Sequence, residues 1–534
     1  MTIKPILFLV IALQLLSCAR RGNPTGGPKD ENAPILITTS PTINSINFSD
    51  KEIKIYFDEY VVLKDVREQL VVSPPLKYPL MISPQGLPSK RISIKIKDTL
   101  QTNTTYVFNF GNSIQDNNEG NILANFKYVF STGKQIDSLK LSGTIKDAFA
   151  IKPKDFVSVM LYKANEKFTD STIFKEKPFY VANTLDTIAW NITNIKEGKY
   201  HLIAMKDKNS DLIFQPKEDE IAFLDTIISL PTNQQIVLKL FKEVPNFSIK
   251  KPEEMAKGHL MFGYYGDAEN LQITTQKIYA KNQDSLAFKS YLIPEKNKDS
   301  IHYYYTTNTK IDSINFKLSN RDFIAENMVK IRLKKVDSLV FKKNLSVLHP
   351  KDTFSIVSNN PLVSVIDKEI NLFVQDTIPV NFTTKVKELN SIQLIFEQKP
   401  SKRYHLEILP NGITDIFKQV NDTLNYNFST KKETYYGSIN LTVNTKNYPI
   451  IVQLLDDKYQ IISEKYVAEK KSFLFDYLVP RKYNIRVIAD TNGNKKWDTG
   501  NYLKKLQPEK VYYYPKTIKV KENFYLNQQF DIVE

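Results

Sequence analysis

Apolar residues in this chain alternate with polar ones at every second position, in short runs that recur along its length. Ile53, Ile55 and Phe57 make one run, and Ile92, Ile94 and Ile96 another. Tyr106, Phe108 and Phe110 follow, then Phe126, Tyr128 and Phe130. Successive side chains of a β-strand point to opposite faces, so a two-residue period builds one buried and one solvated face. Turn-forming clusters such as 116–121 divide the runs. Short strands at this spacing pack as β-sandwiches, which places the chain in the all-β class. Asp58 and Glu59 sit side by side inside the first run. As strand neighbours they face opposite ways, so they are not read as a paired-carboxylate site.

The chain has 534 residues and a single cysteine, Cys18. No disulfide is open to it, so stability must come from cores large enough to do without one. Composition permits that, at 42% hydrophobic and 12% aromatic. Cys18 closes a segment with Lys4 near its start and the apolar run 6–13 behind it. That run is long enough for a secretory signal and too short to span a bilayer. No later stretch reaches 18 uninterrupted apolar residues. With Leu15, Leu16 and Ser17 before the cysteine, the pattern resembles a bacterial lipoprotein signal, which implies acylation of Cys18 and anchoring by lipid. The alternative is an ordinary signal peptide. Acyl chains contribute about 0.8 kcal/mol per buried methylene, so two or three of them anchor a protein durably.

Residues 18–33, rich in Gly, Pro and charge, read as a flexible tether. Pro24-Thr25-Gly26-Gly27-Pro28-Lys29-Asp30 behind the cysteine resembles the tether of Bacteroidota outer-membrane lipoproteins that carry a bacterial Ig-like domain. Residues 55–61 and 130–133 resemble the opening and closing strands of that domain. The expected organisation is a signal peptide over 1–17, the tether over 18–33 and an Ig-like β-sandwich over 34–136. Next come a transthyretin-like sandwich over 137–244, similar in pattern to carboxypeptidase regulatory domains, and an unassigned β domain over 245–345. A second Ig-like sandwich over 346–434 and a second transthyretin-like sandwich over 435–534 complete it. The repeat rests on three echoes. Residues 367–373 resemble 50–56. Tyr404, Asp415 and the run 428–430 resemble Tyr106, Asp116 and 130–132. Tyr483 precedes Asp490 as Tyr200 precedes Asp207.

The formal net charge is +15. Only nine of the 73 basic residues are arginine, and the lysines spread along every segment, so the signature of a nucleic-acid binder is missing. Lysine on strand faces and edges, where it discourages edge-to-edge pairing, accounts for the charge. His201, His259, His302, His349 and His405 stand singly, with no metalloprotease, P-loop, nucleophile-elbow or dinucleotide motif. No catalytic residue is assigned and no cofactor is expected, with calcium as the one candidate. Asp207, Asn209, Asp211 and Glu218 are spaced as in an EF-hand loop, and Asp490, Asn492, Asn494 and Asp498 nearly so. Leu212 and Lys495 replace the usual glycine, and Asx turns explain the spacing equally well. An Asp-Ser/Thr-apolar tripeptide occurs eleven times. It resembles the O-glycosylation sequon of exported Bacteroidota proteins, which makes Thr99, Ser138, Thr226, Ser285, Ser338 and Thr423 candidate acceptors.

The lipoprotein resemblance, with the anchored multi-domain build, implies a non-catalytic scaffold at the outer membrane that serves an outer-membrane protein machine such as one for β-barrel assembly or transport. Exposure on the cell surface is expected, with the periplasmic face as the alternative. The competing reading is a surface protein that binds or processes glycan or peptide, with Tyr264, Tyr265, Tyr303, Tyr304 and Tyr305 as an exposed platform.

Overall fold

The computed structural model describes residues 30–281 and 286–533. Among them the one α-helix is the single turn Val66–Gln69, and no helix is long and apolar enough to cross a membrane. The rest is a series of tandem β-sandwiches. In the first, Leu36–Ser40, Glu52–Leu63, Ser89–Lys95 and Met81–Ser83 lie in that order in one sheet. Val71–Ser73, Thr105–Asn109 and Lys127–Ser131 form the other. The alternating residues meet between the sheets. Ile53 pairs across strands with Ile94 and Ile55 with Ile92, and their side chains pack with Tyr106, Phe108, Tyr128 and Phe130. Each such burial contributes about 1.5–3 kcal/mol. Strand Glu52–Leu63 serves two partners. Its register shifts between Tyr56 and Val61, after which it pairs with Ile114–Asp116.

The fourth sandwich repeats this plan. Tyr106 accepts a hydrogen bond from the Gln101 backbone N–H at 2.9 Å, and Tyr404 from Lys399 at 2.8 Å. Thr132 and Thr430 close the corner alike, donating to the carbonyls of Gln101 and Lys399 at 2.7 and 2.6 Å. Asp116 and Asp415 are both buried and accept loop N–H groups. The resemblance of 367–373 to 50–56 does not hold in space. Ile370–Val374 pairs with Arg403–Ile408, the place Val71–Ser73 takes beside Thr105–Asn109. The counterpart of Glu52–Leu63 is split into Phe354–Ser358 and Leu362–Val365. Alternating Ile, Leu and Phe mark any half-buried strand and carry no positional information.

The second and fifth sandwiches also share one connectivity. Strands Tyr180–Asn183, Ser158–Lys163, Gly198–Lys206 and Glu220–Phe223 form a sheet, matched by Ile461–Val467, Ile450–Leu455, Lys482–Ala489 and Val511–Tyr513. Facing them, Leu139–Asp147 pairs in parallel with Ile236–Leu240, as Gly437–Asn444 does with Tyr525–Asp531. Tyr200 donates to the carbonyl of Lys196 at 2.8 Å and Tyr483 to that of Val479 at 2.9 Å. Between these two pairs lies the third sandwich. Its sheets centre on His259–Tyr265 with Ser300–Thr307, and on Ile311–Asn320.

The sandwiches do not form an open string, because the fifth folds back onto the second. Tyr502 is buried in a cluster with Met160, Phe214, Phe223 and Phe241 of the second sandwich. Its backbone N–H donates to the buried Glu243 carboxylate. Thr499 donates to the Lys242 carbonyl at 2.6 Å and Tyr513 to that of Phe149 at 2.8 Å. The Arg486 guanidinium lies 3.9 Å from the centre of the Phe149 ring, and Trp497 packs on the same ring. Tyr304 of the third sandwich donates to the Asn359 carbonyl of the fourth at 2.8 Å, and Lys351 of the fourth pairs with Asp476 of the fifth. The second to fifth sandwiches therefore close a frame, with the first joined to the second through the Ser73 hydroxyl and the Val181 N–H at 3.1 Å.

Candidate functional site

The two acidic loops leave equivalent strands, Gly198–Lys206 and Lys482–Ala489, and are tied in equivalent ways. Asp207 Oδ2 accepts the Leu212 N–H at 2.7 Å, and Asp490 Oδ2 accepts the Lys495 N–H at 2.9 Å. Asp211 binds the Ile213 N–H and the Gln215 amide, both at 2.8 Å. Asn209 donates to the Gln215 side-chain oxygen, and Glu218 pairs with Lys208 at 3.2 Å. In the second loop the amides of Asn492 and Asn494 donate to Asp498 at 2.6 and 2.7 Å. The carboxylate oxygens named here are engaged by donors of their own loops, as in Asx turns, while Asp207 Oδ1 is buried with no hydrogen-bond partner among the described residues. Among the described residues no group of three or more His, Cys, Asp or Glu side chains is placed to hold a metal ion. The second loop instead leads into the segment that docks through Tyr502.

Two of the histidines do not stand singly. Met261 lies opposite His302 and Tyr304 opposite His259, so His259 and His302 are diagonal neighbours on one face. Their rings share a 2.8 Å contact between Nε2 of His259 and Nδ1 of His302. His302 Nε2 is 3.5 Å from Glu295, and His259 Nδ1 is 3.7 Å from Asp337 in the segment leading to the fourth sandwich. Tyr304 stacks on His259 at 4.2 Å. Burial, with His302 beside it, pushes His259 down to about 4 from 6.5, against the pull of Asp337. A folded-state value below the unfolded one means that the unfolded chain binds the proton more readily between them. Stability is thus expected to fall as pH drops from about 6.5 towards 4 and to level off below that. Thermal midpoints measured across this range should show a shallower slope for His259→Gln. Equal slopes would remove His259 from the account.

The tyrosine platform does not form. Tyr303, Tyr304 and Tyr305 are all buried, at 1%, 4% and 3% exposure. Tyr303 and Tyr305 point into the third core, while Tyr304 faces the next sandwich, so both faces of this strand are covered. Thr99, Ser138, Thr226, Ser338 and Thr423 are all exposed. Ser285 and Cys18 lie outside the described residues.

At the junction of the third and fourth sandwiches the structure holds a cleft of 840 Å³ that the sequence reading missed. Lys257, Lys310, Arg332, Lys334 and Lys418 line it together with Ile311, Ile331, Val336 and Phe417. Gly258 has φ +80°, and a Cβ there would fall 2.5 Å from the Phe417 ring. Only glycine lets that ring seat against the backbone. The lining comes from four separate stretches of chain, so no local motif announces it.

Residues 30–132 match the family model described as a bacterial Ig-like domain. No curated protein matches the chain. Among solved structures, the S-layer protein SbsC is similar at 10% identity, with 92% of this chain and 68% of that one covered and a TM-score of 0.14. The major pilin subunit of Bacillus cereus is similar at 10% identity, with 74% and 99% covered and a TM-score of 0.14. A biofilm-associated protein domain is similar at 8% identity, with 93% and 99% covered and a TM-score of 0.15. Scores of this size carry no argument about function. The family match, placed on the first sandwich and its core of Ile53, Ile55, Phe57 and Phe130, identifies residues 30–132 as a bacterial Ig-like domain.

Proposed function

We propose that the chain is a non-catalytic scaffold, anchored at Cys18 to the outer membrane, that holds interaction surfaces in fixed relation for a membrane-embedded protein machine. The observation that carries this reading is the closed frame. An open string would leave its surfaces free to reorient, as domains joined by small interfaces do. Docking Tyr502 into the second sandwich holds the surfaces of four sandwiches in one geometry. The signal-like segment before Cys18 supplies the anchor, and the lipoprotein resemblance of the tether supplies the compartment. On this reading the body stands on the cell surface.

Purification of the native chain from detergent-solubilised membranes tests it. The expected result is an integral membrane protein retained in stoichiometric amount with the native chain, and a Cys18→Ser chain that leaves the membrane fraction. A Cys18→Ser chain that stays with outer membranes after a high-salt wash would place the anchor elsewhere. The exposed hydroxyls of Thr99, Ser138, Thr226, Ser338 and Thr423 suit O-glycosylation in the same compartment. Intact-mass measurement on protein from its native host should exceed the mass of the acylated polypeptide. Unmodified peptides at all these positions would end the glycan reading.

A further inference from the structure

The cleft between the third and fourth sandwiches collects five cationic side chains around an apolar floor, and no carboxylate lines it. Among the described residues, Lys257, Arg332, Lys334 and Lys418 form no side-chain ion pair, while Lys310 has only the exposed Asp312 at 3.9 Å. The nearby carboxylates point to other work. Glu254 accepts the backbone N–H groups of Arg332 and Leu333, at 2.8 Å and 3.1 Å. Asp337 faces His259, and Asp415 is buried against Asn360 and the Phe417 N–H. Like charges gathered without counter-charges raise the energy of the empty site and favour an anionic occupant.

The floor narrows the chemistry. Ile311, Ile331, Val336 and Phe417 offer apolar surface between the cations, which a purely ionic ligand leaves unused. The volume falls within the range of sites that enclose a ligand. Four of the five cations are lysines, flexible point charges that meet separate carboxylates; the planar fork that favours bidentate phosphate belongs to arginine. We infer that this cleft binds an acidic segment of a partner polypeptide, in which Asp or Glu residues flank a buried apolar side chain. Such a ligand touches both sandwiches and fixes the partner at their junction. The inference rests on the cleft and holds whether or not the anchor reading does.

The test uses the full chain solubilised in detergent and a fluorescein-labelled decapeptide of alternating Asp and Leu, with binding followed by anisotropy. The triple variant Lys310→Ser/Lys334→Ser/Lys418→Ser is compared with Lys152→Ser/Lys446→Ser/Lys516→Ser, which removes the same charge from exposed positions elsewhere. The expected result is saturable binding weakened at least tenfold in the first variant and less than twofold in the second. Replacing Leu by Ser in the peptide should also weaken binding at least tenfold. Thermal unfolding of the first variant should show it no less stable than the parent, since removing unpaired like charge relieves repulsion. Equal losses in both triple variants would reduce the effect to net charge and overturn the inference. So would indifference to the Leu→Ser peptide. Phosphatidylglycerol vesicles that bind the parent and displace the peptide would assign the cleft to a lipid head group instead. No binding of the peptide by the parent would likewise overturn it.

Discussion

Tyr502→Ala is expected to release the fifth sandwich from the second at a cost of about 3–5 kcal/mol, as removal of a large buried aromatic does. The ring is 3% exposed and stands 5.3 Å from Phe223 and 6.2 Å from Phe174. Shifting this segment also withdraws the Tyr502 N–H from Glu243, a buried carboxylate that burial already pushes upward. A buried acceptor left unsatisfied adds to the loss. Each sandwich keeps its own core, so unfolding is not the expected outcome. Small-angle scattering should show a larger radius of gyration, and limited proteolysis should cut within 490–510. Tyr502→Phe keeps the ring and should keep the closed form. An alanine variant as compact as the parent would mean that the neighbouring contacts of Trp497, Arg486 and Tyr513 suffice.

Gly143→Ala should unfold the second sandwich at a much lower temperature. A Cβ on Gly143 would lie 2.2 Å from the Ile236 carbonyl oxygen and 2.6 Å from the Trp190 ring. The first is backbone of the parallel neighbour strand, so it cannot yield by rotating a side chain. Forcing it costs about 3 kcal/mol, the upper end of overpacking, and at that size a sandwich of roughly 100 residues loses more than about 10 °C in midpoint. Gly437 occupies the matching strand of the fifth sandwich, where a Cβ would meet Val520 at 2.5 Å and the Lys521 carbonyl at 2.6 Å. Gly437→Ala should therefore lower the fifth sandwich's transition in calorimetry, leaving the first and third unchanged. A Gly143→Ala chain melting like its parent would show that the two parallel strands separate without strain.

The two-residue alternation was legible because burial acts on it directly. Every run read between residues 53 and 130 lands in the first core, with Ile53, Ile94 and Phe108 fully buried. The echo of Tyr106 and Asp116 in Tyr404 and Asp415 was legible too, and the structure gives it a cause. Each tyrosine accepts a backbone N–H from five residues earlier, and each aspartate is buried under loop N–H groups. The 367–373 echo failed because an Asp-Lys-Glu-Ile lead-in followed by alternation, shared with 50–56, marks the entry to a half-buried strand and not which strand it is. The His259–His302 contact depends on strand register, which residue spacing along the chain does not encode. The frame and the cleft were hidden more deeply. Tyr502 looks like any loop aromatic until Met160, Phe214 and Phe241 surround it. Lys310, Lys334 and Lys418 look like ordinary surface lysines until the sandwich junction gathers them.

The docking of Tyr502 against Glu243 joins residues 259 positions apart in sequence, and this imposes an order on biosynthesis. The second sandwich emerges and can bury its central core early, but Met160, Phe214, Phe223 and Phe241 gain their cover only when the fifth arrives. At about 5–20 residues per second, that interval is on the order of tens of seconds during synthesis. A nascent chain therefore carries a sticky apolar face for roughly half of its production, and a prematurely terminated one carries it permanently. Quality control acting on that face would distinguish finished molecules from truncated ones by whether the last sandwich has arrived.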